Sequence, residues 1–364
     1  MKSCIIIFNQ FINGGCENLF ISIAARFPKI KFYLIILRNI IDEKKLNKIP
    51  ANVIVVNCKF NKVTQRFFYF FKFLKRNLLE TRIMIDFHEV ILSEFFMFLY
   101  RNKKICWHWY NSNPLMKISI NKKSAFIYFH LFRFYKKVIF ICNTQKEIFK
   151  KVIKRFPEKK CFVSYNFVDE KRITKLSNYE CPIKENYIVT VARIDFNAKD
   201  FRTLVAAYEL LQDELKKKYK LVIVGDGKDM DKLVELVEKS NSSKYIILTG
   251  NKANPYPYIK NAAIFVLSSY SEGFPISILE SFTLGVPVIS SNCLAGPKEI
   301  LEDGQYGKLF EVGNVKELSN EISELLEDSV ECENFSYLGK KRAKFYSNLS
   351  TRTIQELFQT EEIF

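Results

Sequence analysis

The sequence predicts an α/β protein made of two doubly wound, Rossmann-like domains facing a cleft. Three observations carry that prediction. Short, nearly uninterrupted apolar runs alternate with segments of helical period along the whole chain, as strands buried on both faces of parallel sheets require. The length, 364 residues, suits two domains of ordinary size. The charge also steps near residue 170. Residues 1–170 carry 31 Lys and Arg against 11 Asp and Glu, a net +20, whereas residues 171–364 carry a net −3. The step places an N-terminal domain over residues 1–168 and a second over 169–345, with 346–364 as a helix crossing back to the first.

In the first half the apolar runs predict strands at residues 4–8, 32–37, 53–56, 82–85, 104–107, 138–142 and 161–165. Helical spacing falls between them, at 17–26, 63–79 and 144–154. The second half repeats the alternation, with strands at 187–192, 220–224, 246–249, 263–267, 286–290 and 308–310. Its helices are expected at 201–217, 230–239, 255–261, 275–284 and 315–327, and residues 334–364 are helical in pattern. Ligands of open α/β sheets sit beyond the carboxyl ends of the strands, so the chemistry belongs to the loops that follow them.

Composition excludes several classes. With 48% hydrophobic and 26% charged residues, 12 Gly and 10 Pro, the chain is neither disordered nor collagen-like. No 18-residue stretch is apolar and uncharged, and the first apolar run, residues 4–8, is too short for a signal peptide. The expectation is a cytoplasmic protein. Nine scattered cysteines without a Cys-x-x-Cys pair read as reduced thiols, and three histidines lack zinc-ligand spacing. The basic first half calls for an anionic partner: nucleic acid, an anionic membrane surface or a phosphorylated substrate. No zinc-finger, RNP or helix-turn-helix signature accompanies the charge, so no nucleic-acid partner is expected.

Four segments suit chemistry. Asn13-Gly-Gly-Cys-Glu17 follows the first strand and opens a helix, where bare backbone could approach an anion; an ordinary strand-to-helix turn fits equally well. After the strand ending at Ala192, Arg193 and Lys199 flank a loop and suit a diphosphate, or else are solvated surface charges. Gly225-Asp-Gly227 reads as a tight turn. Asp229 and Asp231 behind it form a D-x-D that suits the first turn of a helix better than a metal. The most informative segment is Glu272-Gly-Phe-Pro-Ile-Ser-Ile-Leu-Glu280. Gly273 permits a sharp backbone path, and the amides near Gly273 and Phe274 are available to a ligand. Glu280 falls among Ile276, Ile278, Leu279 and Phe282, where a carboxylate needs hydrogen-bond donors.

The two glutamates, with seven residues between them, resemble the signature of the retaining, GT-B-fold nucleotide-sugar glycosyltransferases of the group-1 family (family four). Arg193 six residues before Lys199, Asn254-Pro-Tyr-Pro-Tyr-Ile-Lys-Asn-Ala262, Gly285-Val-Pro-Val-Ile-Ser290 and Gly296-Pro-Lys-Glu-Ile-Leu301 are similar to it as well. The resemblance covers residues 160–330, and the first domain only by layout and by Gly14-Gly15-x-Glu17. It implies a retaining transfer of a hexose or N-acetylhexosamine, with UDP as the favoured nucleotide, to a hydroxyl of a glycan or lipid-linked saccharide in bacterial surface polysaccharide or glycan synthesis. Arg193 and Lys199 would neutralise the donor diphosphate and Glu280 would hold the ribose. Glu272 would meet the transferred sugar, and Thr249, Gly250 and Tyr256 would border the base. Gly14 and Gly15 would sit near the phosphates. No cofactor or metal is implied, the two cations serving in a metal's place. His108, or Trp109 if the register shifts by one, would stand near the reacting carbon. A sugar-nucleotide epimerase, a phosphorylase or a non-catalytic sugar-binding member are the rival readings.

Residues 62–78 carry apolar side chains at helical spacing (Val63, Phe67, Phe70, Leu74, Leu78) among Lys62, Arg66, Lys72, Lys75 and Arg76, with no acid before Glu80. That pattern suits either a sheet-covering helix with a basic outer face or a helix docking peripherally on the inner face of an anionic membrane.

Overall fold

The computed structural model describes residues 3–8, 10–11, 15–37, 40–57, 63–77, 81–86, 106–110, 135–152 and 156–360. The chain divides into two compact units, 1–166 with 348–364, and 167–347.

The first unit is a seven-stranded, all-parallel sheet in the order β3-β2-β1-β4-β5-β6-β7. The strands are β1 (Ser3–Phe8), β2 (Lys31–Ile36), β3 (Val53–Asn57), β4 (Thr81–Asp86), β5 (Cys106–Tyr110), β6 (Lys137–Phe140) and β7 (Cys161–Val163). Among the described residues four α-helices fall between them: α1 (Gly15–Arg26), α2 (Glu43–Leu46), α3 (Val63–Asn77) and α4 (Asn143–Val152). β1 and β2 are buried almost throughout, as their continuous apolar runs require. Phenylalanines dominate the core. Phe8, Phe11, Phe20 and Phe32 are fully buried and meet at ring-centroid distances of 5.5–5.9 Å.

The second unit is a six-stranded parallel sheet in the order β10-β9-β8-β11-β12-β13. Its strands are β8 (Asn186–Val191), β9 (Tyr219–Val224), β10 (Ile246–Gly250), β11 (Ile264–Leu267), β12 (Val288–Ser291) and β13 (Lys308–Phe310). The helices in chain order are α5 (Glu170–Ser177), α6 (Phe201–Glu209), α7 (Asp213–Lys218), α8 (Met230–Glu238), α9 (Tyr256–Lys260), α10 (Ile276–Leu284), α11 (Pro297–Leu301) and α12 (Val315–Glu327). A core of Ile188, Leu221, Ile264 and Ile289 from the strands packs with Leu204, Tyr208, Leu233 and Ile322 from the helices. A last helix, α13 (Ser329–Gln359), starts among the residues of the second unit and ends among those of the first.

The expected helix over 201–217 is two helices, α6 and α7, with a turn between them. The apolar stripe Phe201, Leu204, Tyr208, Leu211 and Leu215 stays in phase across that turn, so its period conceals the break. β5 also runs to Tyr110 instead of ending near residue 107. Trp107, Trp109 and Tyr110 favour extended backbone, so the strand continues through them.

Candidate active site

In the second sheet the chain runs outward from β8 to β10 and then returns to the other side of β8 as β11. Such a reversal opens a crevice beyond the carboxyl ends of the two central strands. Arg193 and Lys199 follow β8, and Glu272 follows β11.

The two loops are stitched together. Lys199 bridges Ser269 in an antiparallel pair, the Asp200 amide donates to the Ser268 carbonyl at 3.0 Å, and the Tyr270 amide to the Ala198 carbonyl at 3.0 Å. The Asp200 carboxylate caps α6, accepting from the Thr203 amide at 3.1 Å and its hydroxyl at 2.6 Å. This fixes Lys199 just ahead of the helix, and its Nζ donates to Glu272 Oε1. The Arg193 side chain remains 73% exposed and approaches Asp195 only at 3.7 Å. Asp195 is closer to Lys228, at 3.0 Å. The guanidinium is thus available to an incoming anion.

Gly225 and Gly227, read from sequence as a tight turn, are needed for close approach. A Cβ on Gly225 would lie 1.9 Å from the Ala192 carbonyl oxygen, and one on Gly227 2.2 Å from that of Ile194. Asp229 is occupied, taking the Phe196 amide at 3.0 Å and Lys232 Nζ at 2.8 Å. The Lys232 ammonium is the foremost influence holding its carboxyl below the usual range. Among the described residues no group of three or more His, Cys, Asp or Glu side chains could hold a metal.

Beyond Glu272 the backbone is held by Gly296, whose amide donates to the Gly273 carbonyl at 2.9 Å; a Cβ there would lie 2.5 Å from the same oxygen. The Phe274 ring is buried edge-on against Tyr346, 5.1 Å between centroids, so this residue can offer a ligand only its backbone. Pro275 precedes α10, which carries Glu280. Tyr256, at the start of α9, donates its hydroxyl to Glu280 Oε1 at 3.1 Å. Burial pushes the Glu280 carboxyl up to about 7, against the Tyr256 hydrogen bond and the Arg172 charge. Thr249 and Gly250 end β10. Gly250 has φ +69°, and open space lies where its Cβ would be.

Two residues near the site escaped the sequence reading. Ser269 donates to Glu272 Oε1 at 2.7 Å. Arg172 lies on α5, a helix whose only sequence signal was Asp169, capping it three residues before Arg172. In the first unit Gly15 opens α1 behind β1, and Gly14 lies outside the described residues. His108 lies within β5 rather than after it, paired with Asp86 and Val138; Trp109 is opposite Ile139.

Two parallel sheets of this doubly wound kind in one chain are the layout of the GT-B fold. The whole chain superposes on solved structures of that fold. For HepE of Anabaena in complex with UDP and glucose the TM-score is 0.81 at 16% identity, covering 99% of this chain and 100% of that one. For the lipopolysaccharide outer core galactosyltransferase WaaB it is 0.72 at 19% identity, again over 99% and 100%. Residues 172–342 match the family of glycosyl transferases group 1. The chain thus has the GT-B fold, and residues 172–342, within its second unit, match the group-1 glycosyl transferases. An N-acetylgalactosamine-N,N'-diacetylbacillosaminyl-diphospho-undecaprenol 4-alpha-N-acetylgalactosaminyltransferase from Campylobacter jejuni is 29% identical over 59% of this chain and 58% of its own length. The O-antigen chain mannosyltransferase B of Escherichia coli is 34% identical over 43% and 42%. The alignments thus span about half the length of these relatives.

Proposed function

We propose that the protein transfers a hexose or N-acetylhexosamine, with retention, from a UDP-sugar to a hydroxyl of a glycan or lipid-linked saccharide in the synthesis of bacterial surface polysaccharide. The observation that carries this reading is the contact of Lys199 with Glu272 at the strand-order reversal of the second sheet, with Arg193 exposed on the loop that carries Lys199. Relatives named for transfer to a diphospho-undecaprenol-linked sugar and to O-antigen support the acceptor class. The UDP and glucose of the HepE complex support the donor.

In this reading the bond between the anomeric carbon and the diphosphate oxygen breaks, and the positive charge on the sugar grows. Arg193 and Lys199 take up the charge of the departing diphosphate, as fixed cations can do in place of a metal. The acceptor oxygen bonds to the same face of the anomeric carbon, and its proton leaves with the diphosphate. Glu272 holds the transferred sugar. Glu280, with Tyr256 on one oxygen, accepts from the ribose hydroxyls. Thr249, Gly250 and the segment up to Tyr256 border the base. The basic helix α3 gives peripheral contact with an anionic membrane surface, where a lipid-linked acceptor would be met.

The test is thermal unfolding with UDP-, GDP- and ADP-sugars, each with and without EDTA. Binding at a hundred times Kd stabilises by about 2.7 kcal/mol, a shift of several degrees. A rise in Tm with a UDP-sugar, unchanged by EDTA, is expected. No rise with any of the three would sink the reading, and a rise that EDTA removes would reverse its metal-free part.

A further inference from the structure

Ser269 and Ser291 are buried completely or almost so, at 0% and 1% exposure, beneath the Glu272 loop. Ser291 ends β12, and Ser269 lies two residues past the end of the neighbouring strand β11. The Ser269 amide donates to Ser291 Oγ at 3.0 Å, and Ser291 Oγ donates to the Ser269 carbonyl at 2.8 Å. This reciprocal pair locks the Ser269 backbone to the adjacent strand. The Ser269 hydroxyl then donates to Glu272 Oε1 at 2.7 Å. Lys199 Nζ donates to the same oxygen, from a loop that is itself bridged to Ser269. Both donors of Oε1 are thus set by backbone that cannot move independently. Among the described residues nothing donates to Oε2, and the Glu272 side chain keeps 13% of its surface open.

We propose that Ser269, braced by Ser291, is a positioning residue that turns Glu272 so that it presents one oxygen, Oε2, to the transferred sugar. The inference rests on the donor reading given above. Lys199 alone could hold Glu272 by charge, but a lysine is a point charge on a flexible stem and leaves the plane of the carboxylate unset. The serine hydroxyl adds a second, directional bond without adding charge. The carboxylate is then oriented before the sugar arrives, and less freedom is lost on binding.

The test compares UDP with UDP-glucose, because UDP has no sugar for Glu272 to hold. Titration calorimetry on Ser269→Ala should show Kd for UDP-glucose rising about tenfold while Kd for UDP changes by less than about twofold. Equal changes for both ligands, or no change for either, would overturn the proposal. If Ser269→Ala fails to fold, the near-isosteric Ser269→Cys replaces it, with the same expectation.

A second arm uses the ligand-free protein: Tm for Ser269→Ala, Glu272→Gln and the double variant. A double variant no less stable than the weaker single one supports the pairing, and strictly additive losses overturn it. Should the wild type bind neither UDP nor UDP-glucose, the nucleotide assignment fails. The positioning of Glu272 is then decided by this second arm.

Discussion

In both units the strand order runs outward from the first strand and then resumes on its other side, as β3-β2-β1-β4 in one and β10-β9-β8-β11 in the other. The loops at the reversal of the second unit are described in full. In the second unit they are cross-linked by backbone hydrogen bonds, closed by glycines at van der Waals limits and loaded with Arg193, Lys199 and Glu272. In the first, the described part of the loop behind β1 resumes at Gly15, the first residue of α1. The first unit instead carries charge and outward-facing apolar residues. Phe68 of α3 is 71% exposed, Phe71 is exposed too, and Ile54 and Val55 stand exposed on the edge strand β3. The two units thus share one architecture and differ in the side chains outside the core; in the reading proposed above, those of the second unit serve bond-making and those of the first attraction to a surface.

The largest expected effect is in the second unit. Arg193→Ala and Lys199→Ala should each cut turnover of the nucleotide sugar by about 10²–10³-fold, with the fold intact by circular dichroism. Near wild-type rates in both would remove the chemical half of the comparison. The next tests the first unit. Replacing Lys75 and Arg76 by Gln should lower recovery on vesicles rich in anionic lipid by roughly ten- to thirtyfold, at about 1 kcal/mol per charge, and leave neutral vesicles unaffected. Equal flotation on both kinds of vesicle would show that charge does not drive docking. Recovery with added RNA, and not with vesicles, would point to the other polyanion.

The smallest effect sharpens the role of burial at Glu280. Its carboxyl is raised from 4.5 to about 7 in the folded chain, so folding favours the protonated form. The associated stability is fully present below about pH 4.5 and is lost as pH rises to about 7. Glu280→Gln should flatten that decline, which is read as a few degrees of Tm between pH 5 and 7 on the order expected for about 1 kcal/mol. Parallel curves for the two proteins would show that the group is solvated.

The second unit was the more legible of the two. Its strands are short, mostly apolar runs ended by Gly, polar or charged residues, and Glu272-Gly-Phe-Pro announces a loop and a helix start together. What the sequence hid is of two kinds. One is a break that period alone does not reveal, as at Leu210–Gln212, where the apolar stripe remains in phase on both sides. The other is a polar partner made by tertiary approach. Ser269 is one of several serines in its segment, and only the pairing of β11 with β12 brings Ser291 beneath it. Arg172 likewise nears Glu280 because α5 packs on α9 and α10, a fact without periodic signature. In the first unit the strand through Cys106–Tyr110 is longer than its apolar core suggested, which moves His108 from a loop into the sheet.

The final helix has a genetic consequence. Residues 348–364 bear none of the proposed donor contacts, yet Phe358 is sealed into the first unit against Phe27, 5.4 Å between ring centres, and beside Phe32. Arg26 and Lys137 also tie to Thr351 and Thr360 of this tail. A stop codon just after residue 347 would spare every proposed donor contact of the second unit and still uncork the phenylalanine interior of the first.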